Sequence, residues 1–275
     1  MSAAPEIANI TIREINDVAE TRAVEELQKE IWGIPDLDVV PLTHLVAVVE
    51  AGGVLIGAFD GVTLVGFVYG FPSFENGQLA HHSHMLAVKP GYRNYDLGRR
   101  LKLAQRERVI AQGIDLISWT FDPLHSLNAY FNFGKLGVVA DRYLPNFYGE
   151  DAASFLHQTG TDRLWVSWLI LSERVQSRIG GGSYQTSPNH GPPLVQVEAN
   201  DSPRRNELTE GVAYDNAAIE IPSNIDSLPR ATALRWREET RWAFTEALKA
   251  GCYVDSFVRE GRIGTYILKK RDLRS

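Results

Sequence analysis

At 275 residues, 44% hydrophobic and 23% charged, the chain can bury a sizeable core and has room for one large domain or two small ones. A formal charge of −6 argues against a broad nucleic-acid surface, and the single cysteine, Cys252, rules out an internal disulfide or a cysteine-only metal cluster, which suits a reducing compartment. The opening residues, MSAAPEIANITIRE, hold no basic stretch followed by an apolar run, and no later segment is apolar for a bilayer's width, so a cytoplasmic location without membrane insertion is expected.

In chain order, residues 11–15 have the composition of a short strand. Residues 18–32 fit an amphipathic helix with Val24, Leu27 and Ile31 on one side and Asp17 as its start signal. A second, more apolar helix over 41–49 ends at Gly52 and Gly53, where positive φ costs little. Strands at 54–59 and 63–71 meet at Asp60-Gly61, a strong two-residue hairpin signal. A strand over 79–88, a helix over 97–112 closed by Gly113, and an almost continuous apolar strand over 114–121 form a strand–helix–strand crossover. A helix over 127–136 and strands over 138–143 and 164–171 follow. Antiparallel hairpins ahead of a single crossover disfavour a doubly wound parallel sheet.

From Ile179 to Pro193 the chain is rich in glycine, proline and small polar residues, the composition of a linker or long loop. Beyond it come a strand over 218–221, a helix over 229–250 closed by Gly251, and a hairpin of 253–258 with 265–268 turning at Glu260-Gly261. The expected organisation is therefore a first domain over 1–177, a linker over 178–193, and a small α/β extension over 194–275. The last long helix places Leu234, Phe244, Ala247 and Leu248 toward one side with Trp236 and Trp242 flanking, so packing against the rest is its default role. An alternative makes Arg235, Arg237 or Arg241 on that helix a contact for an acidic substrate.

The most informative stretch is HSHMLAVKPGYRNYDLGRR, residues 82–100. An apolar strand through 85–88 runs into a turn at Pro90-Gly91 and then into a helix opening near Gly98. The first amides of such a helix lack intrahelical partners and lie at the positive end of the dipole, where an anion can sit. Arg93, Arg99, Arg100 and Lys102 add positive charge around the same loop, suited to phosphate. The competing reading makes the last three an ordinary solvated helix face.

This arrangement resembles the pyrophosphate loop of the GNAT superfamily of acyl-CoA-dependent N-acyltransferases: Val88, Pro90, Arg93, Leu97 and Gly98 fit its pattern, and Asp96 stands where the first glycine is expected. The resemblance extends over about 11–172 through the Asp-Gly hairpin, the GRRL helix start and NAYFNFGKLGV before a strand. It implies a GNAT-like α/β fold of the α+β kind, a mixed, mostly antiparallel sheet with flanking helices. It also implies acetyl-CoA or another acyl-CoA as co-substrate, with Leu86 and Val88 giving backbone contacts, Arg93, Asn94, Leu97, Gly98 and Arg99 holding the phosphates, and Asn128 touching the cofactor arm.

Acyl transfer to an amine needs a base, an oxyanion donor and an acid for the departing thiolate. By the same resemblance the base belongs on the fourth strand, where this chain carries His82, a group able to take a proton near neutral pH. Strand alternation puts His82 and His84 on one face and His81 and Ser83 on the other. A metal held by His82 and His84 is also conceivable, but no carboxylate or cysteine stands beside them and no metal site is assigned. Asp122 is a second base or acceptor-binding candidate, against a structural reading as a turn and helix cap. The tyrosine that many GNAT enzymes use as acid is Phe133 here, leaving Tyr130 as the nearest candidate and Tyr143 and Tyr148 as further ones.

Together these residues point to an N-acyltransferase, acetyl-CoA-dependent, acting on an amine, more readily that of a small molecule, with no nucleic-acid or membrane partner and a homodimer allowed. The alternative is a non-catalytic acyl-CoA-binding or scaffold protein, kept open by Asp96 and Phe133.

Overall fold

The computed structural model describes residues 10–149, 159–182, 191–206 and 216–270, with the Asn94 side chain outside them. The chain forms two compact units, Met1–Trp119 and Thr120–Ser275.

In the first unit, strands β1 (Ile10–Glu14), β2 (Val54–Asp60), β3 (Thr63–Glu75), β4 (Gln78–Val88) and the start of β5 (Leu116–Phe121) lie side by side in that order. Every neighbouring pair is antiparallel except β4 and β5, which run parallel. Helices α1 (Val18–Trp32) and α2 (Leu42–Glu50) cover one face, where Val24, Leu27 and Leu45 pack with Leu55, Phe67, Tyr69 and Ala87. Asp17 caps α1 by accepting from the amides of Ala19 and Glu20. The start of α2 has no cap of its own; Glu25 from α1 accepts from the Leu42 amide instead, tying the two helices together. Helix α3 (Leu97–Ala111) covers the opposite face through Leu97, Leu101, Gln105 and Val109, one turn apart along its buried side.

In the second unit, β6 (Val139–Leu144), β7 (Arg163–Leu169), β10 (Ala218–Pro222), β11 (Cys252–Glu260) and β12 (Ile263–Lys270) run antiparallel in the order β7-β6-β11-β12-β10. Helix α4 (Ser126–Ala129) widens directly into a π-helical stretch, Tyr130–Leu136. Helix α6 (Arg230–Lys249) buries Ala233, Trp236, Ala243, Phe244 and Ala247, whereas Leu234 stands 39% exposed. The apolar side of α6 is therefore rotated from the one expected: Trp236 is core and Leu234 surface.

Element types and most boundaries match the expectations from sequence. Two features do not. Helix α5 (Glu173–Ile179) and a ribbon of β8 (Val195–Val197) with β9 (Pro203–Arg205) lie in or beside the stretch expected to be linker. Seven- and three-residue elements are too short to show a period. Residues 183–190 of that expected linker lie outside the described residues.

Candidate functional site

Strand β4 is irregular at one point. Tyr69 pairs with Met85 and Gly70 with Ser83, leaving His84 as an extra residue, a β-bulge that puts two consecutive side chains opposite one. On the face shared with α1 and α2, the bulge gathers a ring cluster. The His84 ring lies 6.1 Å from those of Tyr69 and His82 and 5.8 Å from Phe71, and Phe71 stands 5.5 Å from His82. His44 from α2 approaches Tyr69 edge-on at 6.4 Å.

Burial, then the neighbouring His84 and Lys102, pushes His82 down to about 4, so at neutral pH it is an uncharged imidazole. His84 keeps solvent access, yet desolvation by the rings packed around it, then His44, lowers its pKa as well. Burial raises Tyr69 to about 12 and its hydroxyl has no hydrogen-bond partner.

Beside this cluster the sheet forks. Strands β4 and β5 pair only at His81–Ile117 and His82–Ser118, after which β4 runs on to Val88. Ser118 shares the last rung and hence the face of His82, and its hydroxyl is buried without a partner. An uncharged base and two buried hydroxyls lacking partners, Ser118 and Tyr69, thus lie along one face of the β4 bulge.

The other face is also polar. Lys102, 2% exposed, donates to Ser83 Oγ at 2.7 Å and sits 3.6 Å over the Trp119 ring. Gln105 links Ser83 to His81, which burial and Lys102 lower to about 3. Gly70 is required here, since a Cβ would stand 2.4 Å from His81 Nε2. Lys102 is therefore core, correcting its reading as charge for a phosphate or as solvated surface.

Beyond Val88 the chain makes a short 3-10 turn over Pro90–Tyr95, reverses at Asp96 in the left-handed region (φ 54°), and enters α3 at Leu97. Asp96 makes no side-chain capping bond; its carboxylate lies 3.6 Å from Arg99 Nη1. The sequence departure is thus partly neutralised within the loop, and the side chain leaves the first-turn amides of Leu97 and Gly98 uncapped. Exposed Arg93 donates to the Val88 carbonyl at 3.3 Å, bracing the loop against the end of β4, where Leu86 and Val88 are half-buried. Arg100 instead donates to the carbonyl of Ile10, so its charge serves β1. The side chain of Asn94 lies outside the described residues.

The second unit holds the remaining candidates. Asp122 is 6% exposed; Arg237 donates to its Oδ2 at 2.5 Å and the Leu124 amide to its Oδ1 at 2.9 Å. Burial works to raise its pKa, and Arg237 overcomes that to hold it below the usual range. So held, it is a turn-capping anion with little basicity. Asn128 is exposed on α4, and Tyr130, 41% exposed, opens the π-helical stretch beside Gly134. Phe133 is fully buried, edge-on to Phe121 and Tyr266. Tyr143 donates to Asp162 at 2.6 Å and stacks on Phe244, a structural hydroxyl. Local spacing holds no sign of the Asp122–Arg237 pair, whose partners are 115 residues apart. It also missed His44, Tyr69 and Phe71 around the bulge, because their convergence depends on register.

The element order is a strand, two helices, three antiparallel strands, then a helix leading to a parallel fifth strand, the order that the resemblance in the sequence implies. The chain is similar to an aminoglycoside 6'-acetyltransferase of type Ii (22% identity, 59% of this chain and 99% of that one, TM-score 0.48). It is also similar to an aminoglycoside 6'-N-acetyltransferase complexed with coenzyme A (18%, 59% and 98%, 0.46). A third likeness is to the alanine N-acetyltransferase of ribosomal protein S18 from Escherichia coli (12%, 60% and 97%, 0.47). At these identities and scores the likeness concerns the course of the chain and assigns no residue a role. No protein-family model and no curated protein matches the sequence.

Proposed function

We propose that the protein is an N-acyltransferase that takes an acetyl or other acyl group from a coenzyme A thioester and gives it to an amine, more readily that of a small molecule. The observation that carries this reading is the β4 bulge beside the β4–β5 fork, which sets neutral His82 and the partnerless Ser118 hydroxyl on one face. The same strand leads into the loop that turns the start of α3 outward. The residues fit the group. The uncapped amides of Leu97 and Gly98, with Arg93 and Arg99, form an anion seat for the diphosphate. Bound there, acyl-CoA supplies an activated carbonyl and a thiolate leaving group.

His82 accepts the proton that the neutral amine loses as it attacks the thioester carbonyl and the thiolate departs, and its low pKa keeps it ready at any pH above about 4. Ser118 Oγ and Tyr69 OH, having no protein partner, are the hydrogen-bond groups left to meet substrate. Tyr130 is the candidate acid. Asp122, engaged by Arg237, serves as an anchor.

The experiment is calorimetric titration with acetyl-CoA and with its dephospho and pantetheine analogues, followed by thiol release across a panel of amines. Binding that weakens as phosphates are removed, with thiol release on adding an amine, is the expected result. Binding without turnover on any amine would leave an acyl-CoA-binding protein, a reading favoured by the buried Phe133 in the acid's family position.

A further inference from the structure

The β4–β5 ladder ends at His82–Ser118, and the next rung would join Ser83 to Trp119. Lys102 occupies that rung. Its ammonium donates to Ser83 Oγ at 2.7 Å, reaches Gln105 Oε1 at 3.4 Å and rests 3.6 Å above the Trp119 ring. A lysine ammonium has three donors and no acceptor, and each of these neighbours offers electron density toward it. Ser83 in turn donates to Gln105 Oε1 at 2.8 Å, and the Gln105 amide faces His81 Nε2 at 3.2 Å. Among the described residues, no acidic side chain takes part in this cluster's hydrogen bonds, and burial pushes the Lys102 ammonium well below its ordinary pKa. An aliphatic residue would fill the same space more cheaply, since a buried charge without a counter-ion is costly. A buried amine at the mouth of a fork therefore calls for a role that leucine could not fill.

We propose that Lys102 is a positioning residue of the acyl-transfer site, bridging β4 and β5 just beyond the end of their ladder so that the fork stays open and His82 stays aligned. The proposal rests on the acyltransferase reading above. Lys102 lies behind the sheet, on the face away from His82, and acts through Ser83, the residue next to His82. When protonated, Lys102 also disfavours a proton on both His82 and His81. The other titratable groups around His82 are His84 on the same strand, with Tyr69 from β3 and His44 from α2 behind it.

The test compares the full-length wild type with Lys102→Met and Lys102→Gln. Wild type that binds no acetyl-CoA refutes the acyltransferase reading itself. Given binding, Lys102→Met is expected to weaken acetyl-CoA or lower kcat by about tenfold or more, the scale of loss from a small misplacement of reacting groups. The acid limb of the kcat/KM profile, near pH 4 in wild type, is expected to move upward in both variants. Lys102→Gln, which keeps a donor for Ser83, is expected to restore most of the affinity but not the position of the limb. A residue that merely stabilises the fold would lower the melting temperature and leave the limb where it was, and that result overturns the proposal. Nitrogen-15 NMR of the wild-type Lys102 side chain decides the matter if the variants do not fold. A Lys102 amine that titrates well below its ordinary range with slow hydrogen exchange supports the bridge, and one that titrates in the ordinary range with fast exchange refutes it.

Discussion

The two units treat buried polar groups in opposite ways. Around β4 in the first, His81, His82, Ser118, Tyr69 and Lys102 are buried or half-buried without any acidic partner among their described bonds, and both histidines are held uncharged. In the second, the buried acids Asp122, Asp162 and Asp255 are each clamped, by Arg237, by Arg241 with Tyr143, and by Arg174 with Lys269. A clamped charge is fixed in protonation and geometry, so it can hold a fold but exchanges protons poorly. An uncharged imidazole beside the Ser118 and Tyr69 hydroxyls, which lack partners, is the opposite, since neither its charge nor their hydrogen bonds are fixed by an ion pair. Under the proposed function the difference separates chemistry from scaffolding, with Asp122, held by Arg237, on the side of the scaffold.

The largest effect should come from breaking a clamp. Arg237→Met leaves the Asp122 carboxylate buried and alone and should destabilise the fold by about 3–5 kcal/mol, read by chemical denaturation. Unchanged stability would show that the pair is not formed. Removing the base side chain should act on rate and spare the fold. His82→Ala is expected to cost about 100-fold or more in kcat near neutral pH with the melting temperature little changed. A variant as active as wild type would move the base elsewhere.

A third test uses pH. A histidine whose folded pKa is depressed stabilises the native state fully above its ordinary value of 6.5, and that contribution is lost as pH falls toward the folded value. Between pH 6.5 and about 3, His81 should therefore subtract roughly 1.4 kcal/mol per unit from the unfolding free energy. His81→Gln should flatten that slope without altering the slope due to the clamped acids. The smallest effect concerns the loop. Asp96 sits at φ 54°, so Asp96→Gly should relieve about 1 kcal/mol of backbone cost and, by removing a carboxylate, tighten acetyl-CoA several-fold. Weaker binding in that variant would mean that Asp96, through Arg99, organises the anion seat.

Much of the fold was legible because its signals are local. Asp17 begins α1, Asp60-Gly61 turns the first hairpin, Gly113 with a left-handed φ of 76° ends α3, and Gly261 with φ 57° turns the last hairpin. The site was legible only in part. The alternation of β4 put His82 and His84 on one face correctly, but the bulge that places His84 and Met85 together against Tyr69 depends on register with β3, which sequence spacing does not encode. Lys102 looked like surface because its neighbours Arg99 and Arg100 are charged, whereas its burial is decided by Trp119 and Ser83 on two different strands. The Asp122–Arg237 clamp was hidden for the same reason, since no local pattern announces a partner so far along the chain.

The measurement that bears most directly on the account is the pH dependence of kcat/KM for acetyl transfer, run beside the carbon-13 NMR titration of His82 in the free protein. The account predicts an acid limb near pH 4 that coincides with the His82 titration and vanishes in His82→Ala. An acid limb that persists unchanged in that variant, or a His82 ring that titrates near 6.5 while activity does not follow it, would contradict the claim that this neutral imidazole is the base.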